Sequence, residues 1–409
     1  MNYNLRKDAE TIARGAIAAV CPDEAVRRAL KNITFSRRLY VVAVGKAAWQ
    51  MADAASRYLE TPIHCGIVLT KYGHSKGHIP NLICREAGHP VPDKNSYRGT
   101  REILAMTEHL TESDTVLFLL SGGGSSLFEL PMVNPETMSA VTSHLLGCGA
   151  SIVEINTIRK RLSRVKGGRF AQWCAPAKIE AVILSDILGD PVDMIASGPA
   201  AADTSTSAQA LAIAQKYGIS DPEILQLLKQ ETPKNLPNVH TQVIGSVRQL
   251  CLAAEKIAAE LGYTPVFLTD RMEEEASEAG VWMAKKLQEH QPEGKKYAFL
   301  AGGETVVHLK GTGLGGRNQE LALSAAEILE NVPGSCLISV GSDGTDGPTD
   351  AAGGYVDSDT LSELKAKGID YRVMLENNDS YHALKAVDGL IFTGPTGTNV
   401  NDITIGLLG

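Results

Sequence analysis

The sequence predicts an α/β fold in two domains, each a sheet covered by helices, on three observations. Short β-branched runs alternate with longer stretches of helical period, the pattern of a mostly parallel sheet. Several of these runs end directly in a glycine, serine or aspartate cluster. The 409 residues are 44% hydrophobic and 21% charged, with 39 glycines and 5% aromatics, which supplies buried cores and many tight loops.

Taken in order, the N-terminal stretch reads as an amphipathic helix with Leu5, Ile12, Ala16, Ile17 and Val20 on one face. With its interspersed charges it is expected to be a helix of the fold and not a secretory leader. Strands are expected at 39–44, 63–69, 116–120 and 179–184, then at 241–244, 264–268, 297–301, 305–309 and 336–340. Polar breaks at 231–238 and 288–296 divide the chain into an N-terminal domain, 1–235, and a smaller C-terminal one, 236–409, whose last residues could pack back on the first. No apolar run approaches the ~18 residues a membrane span needs. Seven scattered cysteines without a CxxC point to reduced thiols and the cytoplasm, not to a disulfide framework or a thiolate zinc site. The net charge of -8 argues against nucleic acid or an anionic membrane as partner, though a few local cations could still hold a small anion.

Five clusters follow expected strands: AVGKAA, SGGGSS, SDILGD, AGGE and SVGSDGTDG. Ligands of open α/β sheets bind at the carboxyl ends of strands, so these loops are the candidate site. Gly122, Gly123 and Gly124, flanked by Ser121 and Ser125, let backbone N–H groups converge on an anion, or simply turn the chain. The loop Gly311–Asn318 has the length of a Walker loop, but Arg317 stands in place of its lysine and Asn318 in place of its Ser or Thr. Arginine's planar fork suits phosphate or carboxylate. Lys46, in a run of Ala and Val, either neutralises phosphate or reaches out to solvent. Asp186, Asp190 and Asp193, and Asp343, Asp346 and Asp350, offer oxygen ligands for magnesium, while each singly also fits an Asx-turn or helix cap. His74, His78 and His89 match no zinc spacing and read as loop residues. Lys160, Arg161, Arg164, Lys166 and Arg169 read as a solvated basic face that could also draw in anions.

Together and in order, VGKAA, AGHPVPD, SGGGSSL, INTIRKRLSRVKGG, LSDILGDPVDMIASGP, GGET, GGRNQE, GSDGTDGPTDAAG and GPTGTNVND resemble the glycerate 2-kinase family along nearly the whole chain. The resemblance implies a Rossmann-like α/β/α sandwich, a smaller C-terminal α/β domain of the MOFRL type and an interdomain cleft. It also implies transfer of the γ-phosphoryl of ATP to the 2-hydroxyl of D-glycerate with Mg2+. Relatives labelled hydroxypyruvate reductase supply an NAD(P)H-dependent alternative, but GxGxxG with an acidic residue about 20 positions on is absent.

Carried onto this sequence, the family's catalytic lysine is Lys46 and its arginine Arg317. Its glycine loop is Gly122–Gly124 with Ser125, and its SDxxGD segment is Ser185, Asp186, Gly189 and Asp190. Lys46 and Arg317 are then expected to clamp the phosphoryl group and the substrate carboxylate. Ser121, Gly122, Gly123, Gly124, Ser125, Glu304, Gly315, Gly316 and Asn318 would hold ATP. Asp190, Asp193 and Asp343 would anchor Mg2+, and Asp186 would accept the hydroxyl proton. Arg161 replaces the His common in the family, and Ser126 a small apolar residue. ATP and D-glycerate are the expected partners, with a homodimer left open.

Overall fold

The structure, a computed structural model, describes residues 3–35, 38–290 and 294–409. The chain forms two compact units, one of residues 25–185 and 190–244, the other of 1–24, 186–189 and 245–409.

The first unit holds β1 (Arg38–Val44), β2 (Ile63–Lys71), β3 (Leu82–Ala87), β4 (Asp114–Leu120), β5 (Lys178–Leu184) and β6 (Val239–Gly245). Their order is β3-β2-β1-β4-β5-β6, with β1 to β5 parallel. Side chains alternate between two buried faces: Tyr40, Val42 and Val44 of β1 face one core, Leu39, Val41 and Ala43 the other. Continuous apolar strands follow from burial on both sides. The order reverses between β1 and β4, and in Rossmann-like sheets the carboxyl ends at such a reversal are where ligands bind.

The second unit adds β7 (Thr264–Met272), β8 (Tyr297–Gly303), β9 (Ser335–Gly341), β10 (Gly353–Asp357), β11 (Leu390–Ile391) and β12 (Asp402–Leu408), in the order β11-β10-β9-β12-β8-β7. It is a mixed sheet: β7 and β8 are parallel, and the remaining pairs antiparallel. Helices Ala276–Glu289 and Arg317–Leu329 cover one face through Phe299, Leu337 and Val356. The N-terminal helix Tyr3–Val20 buries Leu5, Ile12 and Ile17 on the other, against Leu300, Ile338 and Ile405.

The division of the chain therefore differs from the expected 1–235 and 236–409. The segment 231–238 is tied into the first unit, where Thr232 donates to Asp203 at 2.7 Å and Lys234 to the Asp203 carbonyl at 3.0 Å. β6 then extends the first sheet. The last residues form β12 inside the second sheet, and the N-terminal helix joins the same unit. The break at 288–296 separates a helix from β8, though Gln291, Pro292 and Glu293 lie outside the described residues. Residues 305–309 make no strand: Val306 forms one isolated bridge with Glu275, and Leu309 is 81% exposed, so their apolar alternation finds no partner strand. β3, β10, β11 and β12 are additional to the expected strands; glycine in β10 and β12 and charge in β3 mask their period. Among the described residues, no helix is long and apolar enough to cross a membrane.

Candidate active site

In the first unit the loops after β1 and β4 meet at the reversal of strand order. Ser121 N–H donates to the Val44 carbonyl at 2.9 Å, Lys46 N–H to the Gly122 carbonyl at 2.8 Å, and Ala47 N–H to Ser121 Oγ at 3.0 Å. Gly45 permits this lacing. Its φ is +124°, and a Cβ there would lie 2.2 Å from Ser121 Oγ. The Lys46 side chain is half-buried, and among the described residues no carboxylate lies within ion-pair distance of its ammonium. Gly123, at φ +86°, packs so closely that a Cβ would sit 2.9 Å from His89 Cδ2 and 3.2 Å from Lys46 Cγ. His89 thus joins the loop that carries Lys46, although its spacing marked it only as a loop residue. His74 Nδ1 lies 3.0 Å from the Lys46 carbonyl.

Behind the glycine loop, Ser197 Oγ donates to Asn156 Oδ1 at 3.1 Å, which leaves Ser125 Oγ to donate to Ser197 at 3.0 Å. Ala196 and Ser197 sit at φ 51° and 61°, a left-handed pair that costs on the order of 1–3 kcal/mol per residue. The Ser125 carbonyl accepts from Lys166 Nζ at 2.8 Å and Arg159 Nη2 at 3.0 Å. Lys166 is fully buried 3.0 Å from Glu129, and burial still pushes its ammonium down to about 8. The basic stretch is therefore not a solvated face. Lys160 pairs with Asp193 at 3.1 Å and Asp203 at 3.0 Å, and buried Arg161 with Glu231 at 3.3 Å. The reason is tertiary: Lys160 and Arg161 lie on the buried side of the helix Ile152–Arg161 and Lys166 follows it, where carboxylates far away in sequence meet the charges.

The second unit contains a cavity of about 900 Å³, whose lining includes Glu304, Gly315, Gly316, Arg317, Glu320 and Asp343. Arg317 opens its helix and forks onto Asp402, Nε to Oδ2 at 2.5 Å and Nη2 to Oδ1 at 3.0 Å, while Nη1 reaches Glu304 at 2.9 Å. Asp402 is buried and Glu304 is not. Burial pushes the Asp402 carboxyl up to about 6 against the pull of the guanidinium, and the same pairing holds Arg317 above its ordinary value despite its own burial.

The amides that a Walker-type loop would offer to phosphate are taken internally. Asp346 accepts from the N–H of Asn318 at 3.1 Å and of Gln319 at 2.9 Å, and from Gln319 Nε2 at 2.9 Å. Gly316 makes room: a Cβ would lie 2.3 Å from the Asp346 carboxyl carbon. Asn318 is buried between Asp346 and Ser339, which donates to its Oδ1 at 2.7 Å. Asn378 Oδ1 accepts from Lys310 and Gly311 N–H, and Asp379 Oδ1 from Leu314 N–H, pinning the rest of the loop.

The expected metal residues divide between the two units, Asp190 and Asp193 in the first and Asp343 in the second. Asp193 is engaged by Lys160, Asp343 closes an Asx-turn onto Thr345 N–H at 2.9 Å, and Asp190 stands half-buried at φ 52° in the same unit as Asp193. Among the described residues no three His, Cys, Asp or Glu form a group able to hold a metal ion. Asp186 is half-buried just after β5, in the four-residue stretch 186–189 that groups with the second unit.

Comparison with known proteins decides the family. A model described as a domain of unknown function (DUF4147) matches residues 8–229, and one described as the MOFRL family matches 297–402. A D-glycerate 2-kinase of Thermotoga maritima is 53% identical over 412 aligned residues, 99% of each chain. The chain belongs to the glycerate 2-kinase family. The crystal structure of the Thermotoga maritima glycerate kinase has a TM-score of 0.94 to it, at 52% identity and with 100% of both chains covered. An Agrobacterium vitis protein, 41% identical over 91% of this chain and 87% of its own length, is named only provisionally as a hydroxypyruvate reductase. The glycerate 2-kinase segments AGHPVPD and GPTGTNVND hold His89 and Asp402, the two neighbours of Lys46 and Arg317 that residue type alone did not single out.

Proposed function

We infer that this chain transfers the γ-phosphoryl group of ATP to the 2-hydroxyl of D-glycerate, releasing ADP and 2-phosphoglycerate. The observation that carries the reading is the 53% identity, over 99% of both chains, with a D-glycerate 2-kinase. Phosphoryl transfer asks a protein for positioning and charge stabilisation more than for covalent chemistry. In this reading Lys46 neutralises the migrating phosphoryl group, and the glycine loop Gly122–Gly124 holds phosphate oxygens. The absence of an ion-pair partner for Lys46 among the described residues supports that role.

Arg317 is assigned to the glycerate carboxylate. Its fork stays on Asp402, and the bond to Glu304, whose side chain is 48% exposed, is the one a substrate carboxylate replaces. The bond from the β–γ bridging oxygen to phosphorus breaks, and the glycerate 2-oxygen bonds to phosphorus. The hydroxyl proton passes to the Asp186 carboxylate. Magnesium belongs to the substrate as MgATP. Of the residues expected to anchor it, Asp343 lines the cavity beside Arg317.

The test offers D-glycerate with MgATP, and separately hydroxypyruvate with NADH. ADP release dependent on glycerate, with a product that enolase accepts directly, is the expected result. NADH consumption without ADP release would replace this reading with the reductase one.

A further inference from the structure

Five cations lie between residues 160 and 169, and the fold divides them. Lys160, Arg161 and Lys166 are buried and matched by acids. Arg164 and Arg169 are not: among the described residues no carboxylate lies within ion-pair distance of either, nor of Arg101. All three arginines line one cavity of about 710 Å³ in the first unit.

Its walls come from three elements, each turning one face toward it. The helix Lys94–Met106 contributes Arg101 and Leu104, three residues apart. The helix Arg169–Cys174 contributes Arg169, Gln172 and Trp173, again on one face. Between them, the segment at Leu130–Met132 pairs antiparallel with 162–164: Met132 N–H donates to the Leu162 carbonyl at 2.8 Å and Arg164 N–H to the Leu130 carbonyl at 2.9 Å. The Trp173 indole donates to the Leu104 carbonyl at 3.1 Å, which fixes the ring as a wall.

Two nitrogens of Arg169, Nε and Nη2, are buried with no hydrogen-bond partner. Native structures rarely leave buried donors unpaired. Burial and the neighbouring Arg161 charge hold this guanidinium below its ordinary value, and Asp203 offsets that only in part. Three unmatched guanidinium groups in a chain of net charge -8 mark a local demand for negative charge.

We propose that this cavity binds a small phosphate-bearing anion, held by Arg101, Arg164 and Arg169 against the Trp173 ring. It shares no lining residue with the loops at Lys46 and Gly122–Gly124, so it is a second anion site. The probe is inorganic pyrophosphate, read by Trp173 emission in the full chain with Trp49→Phe and Trp282→Phe, which leaves Trp173 as the sole indole. Pyrophosphate is expected to change the emission saturably, and chloride at equal ionic strength is not. Arg101→Ala with Arg164→Ala is expected to weaken binding at least about tenfold, the loss of one charge-assisted hydrogen bond or more. If that pair fails to fold by circular dichroism, Arg164→Ala alone serves, since its side chain is exposed. An emission unmoved by pyrophosphate, or a response equally strong without the arginines, overturns the proposal.

Discussion

Arg317→Ala separates what the arginine does for the fold from what it does for the reaction. The substitution removes both bonds to Asp402, at 2.5 and 3.0 Å, and leaves a carboxylate that is only 4% exposed without its partner. Stranding one member of a buried pair costs about 3–5 kcal/mol. For a unit of this size that lowers the melting temperature on the order of 10 °C. The sign with pH follows from Asp402, already pushed up to about 6 and expected to rise further once the guanidinium is gone. Between the unfolded value near 3.9 and the folded one, the native state holds a proton that the unfolded chain has released. Stability of the variant should therefore fall as pH rises through that window, and the loss should be larger at pH 8 than at pH 5. Adding Asp402→Asn removes the stranded charge and should restore most of the melting temperature. Turnover, followed by ADP release, should remain at least about 100-fold down in the double variant, because the role proposed for Arg317 leaves no cation there for the substrate carboxylate. Near-normal turnover in the double variant, or a single variant that melts like the parent, would refute the reasoning.

Three further outcomes are expected. Lys46→Ala should lower turnover about 100-fold while thermal unfolding shifts by less than about 1 kcal/mol, since the half-buried side chain has no ion pair to lose; calorimetry and ADP release read the two effects apart. Gly123→Ala forces a Cβ to 2.9 Å from His89 at a φ of +86°, and should cost about 1–2 kcal/mol in urea unfolding together with turnover; an unchanged enzyme would remove His89 from the packing of this loop. Asp203 sits against burial but is held below the ordinary carboxyl range by Thr232 and Lys160, so its contribution is present above about pH 4 and is lost as pH falls through the folded value. Asp203→Asn should melt lower than the parent at pH 7 yet lose less between pH 5 and pH 2.5, and parallel pH profiles would count against it.

Much of the architecture was legible along the chain because it follows from short-range pattern. Continuous apolar runs such as Leu39–Val44 and Val116–Leu120 mark strands buried on both faces, and the five polar clusters all lie at the carboxyl ends of strands in the structure, AGGE largely within β8. The triple glycine after β4 and Lys46 after β1 were visible for the same reason. Residues 305–309 carried the same alternation without becoming a strand, since a strand needs a neighbour as well as a pattern.

What an isolated residue could not reveal is which partner it meets. Arg317 reads as a free fork until Asp402, 85 positions away, closes on it, and the Gly311–Asn318 loop reads as a phosphate cradle until Asp346 takes the Asn318 amide and Asn378 and Asp379 take those of Gly311 and Leu314. The stretch from Lys160 to Arg169 reads as one basic face, yet the fold buries three of its cations in ion pairs and leaves two beside Arg101. Local sequence thus determined strands, helices and the chemistry present at each strand end, because backbone preference and hydrophobic period act over a few residues. Tertiary structure alone decided which charges are cancelled and which stay available, because Coulomb pairing and desolvation depend on distance in space.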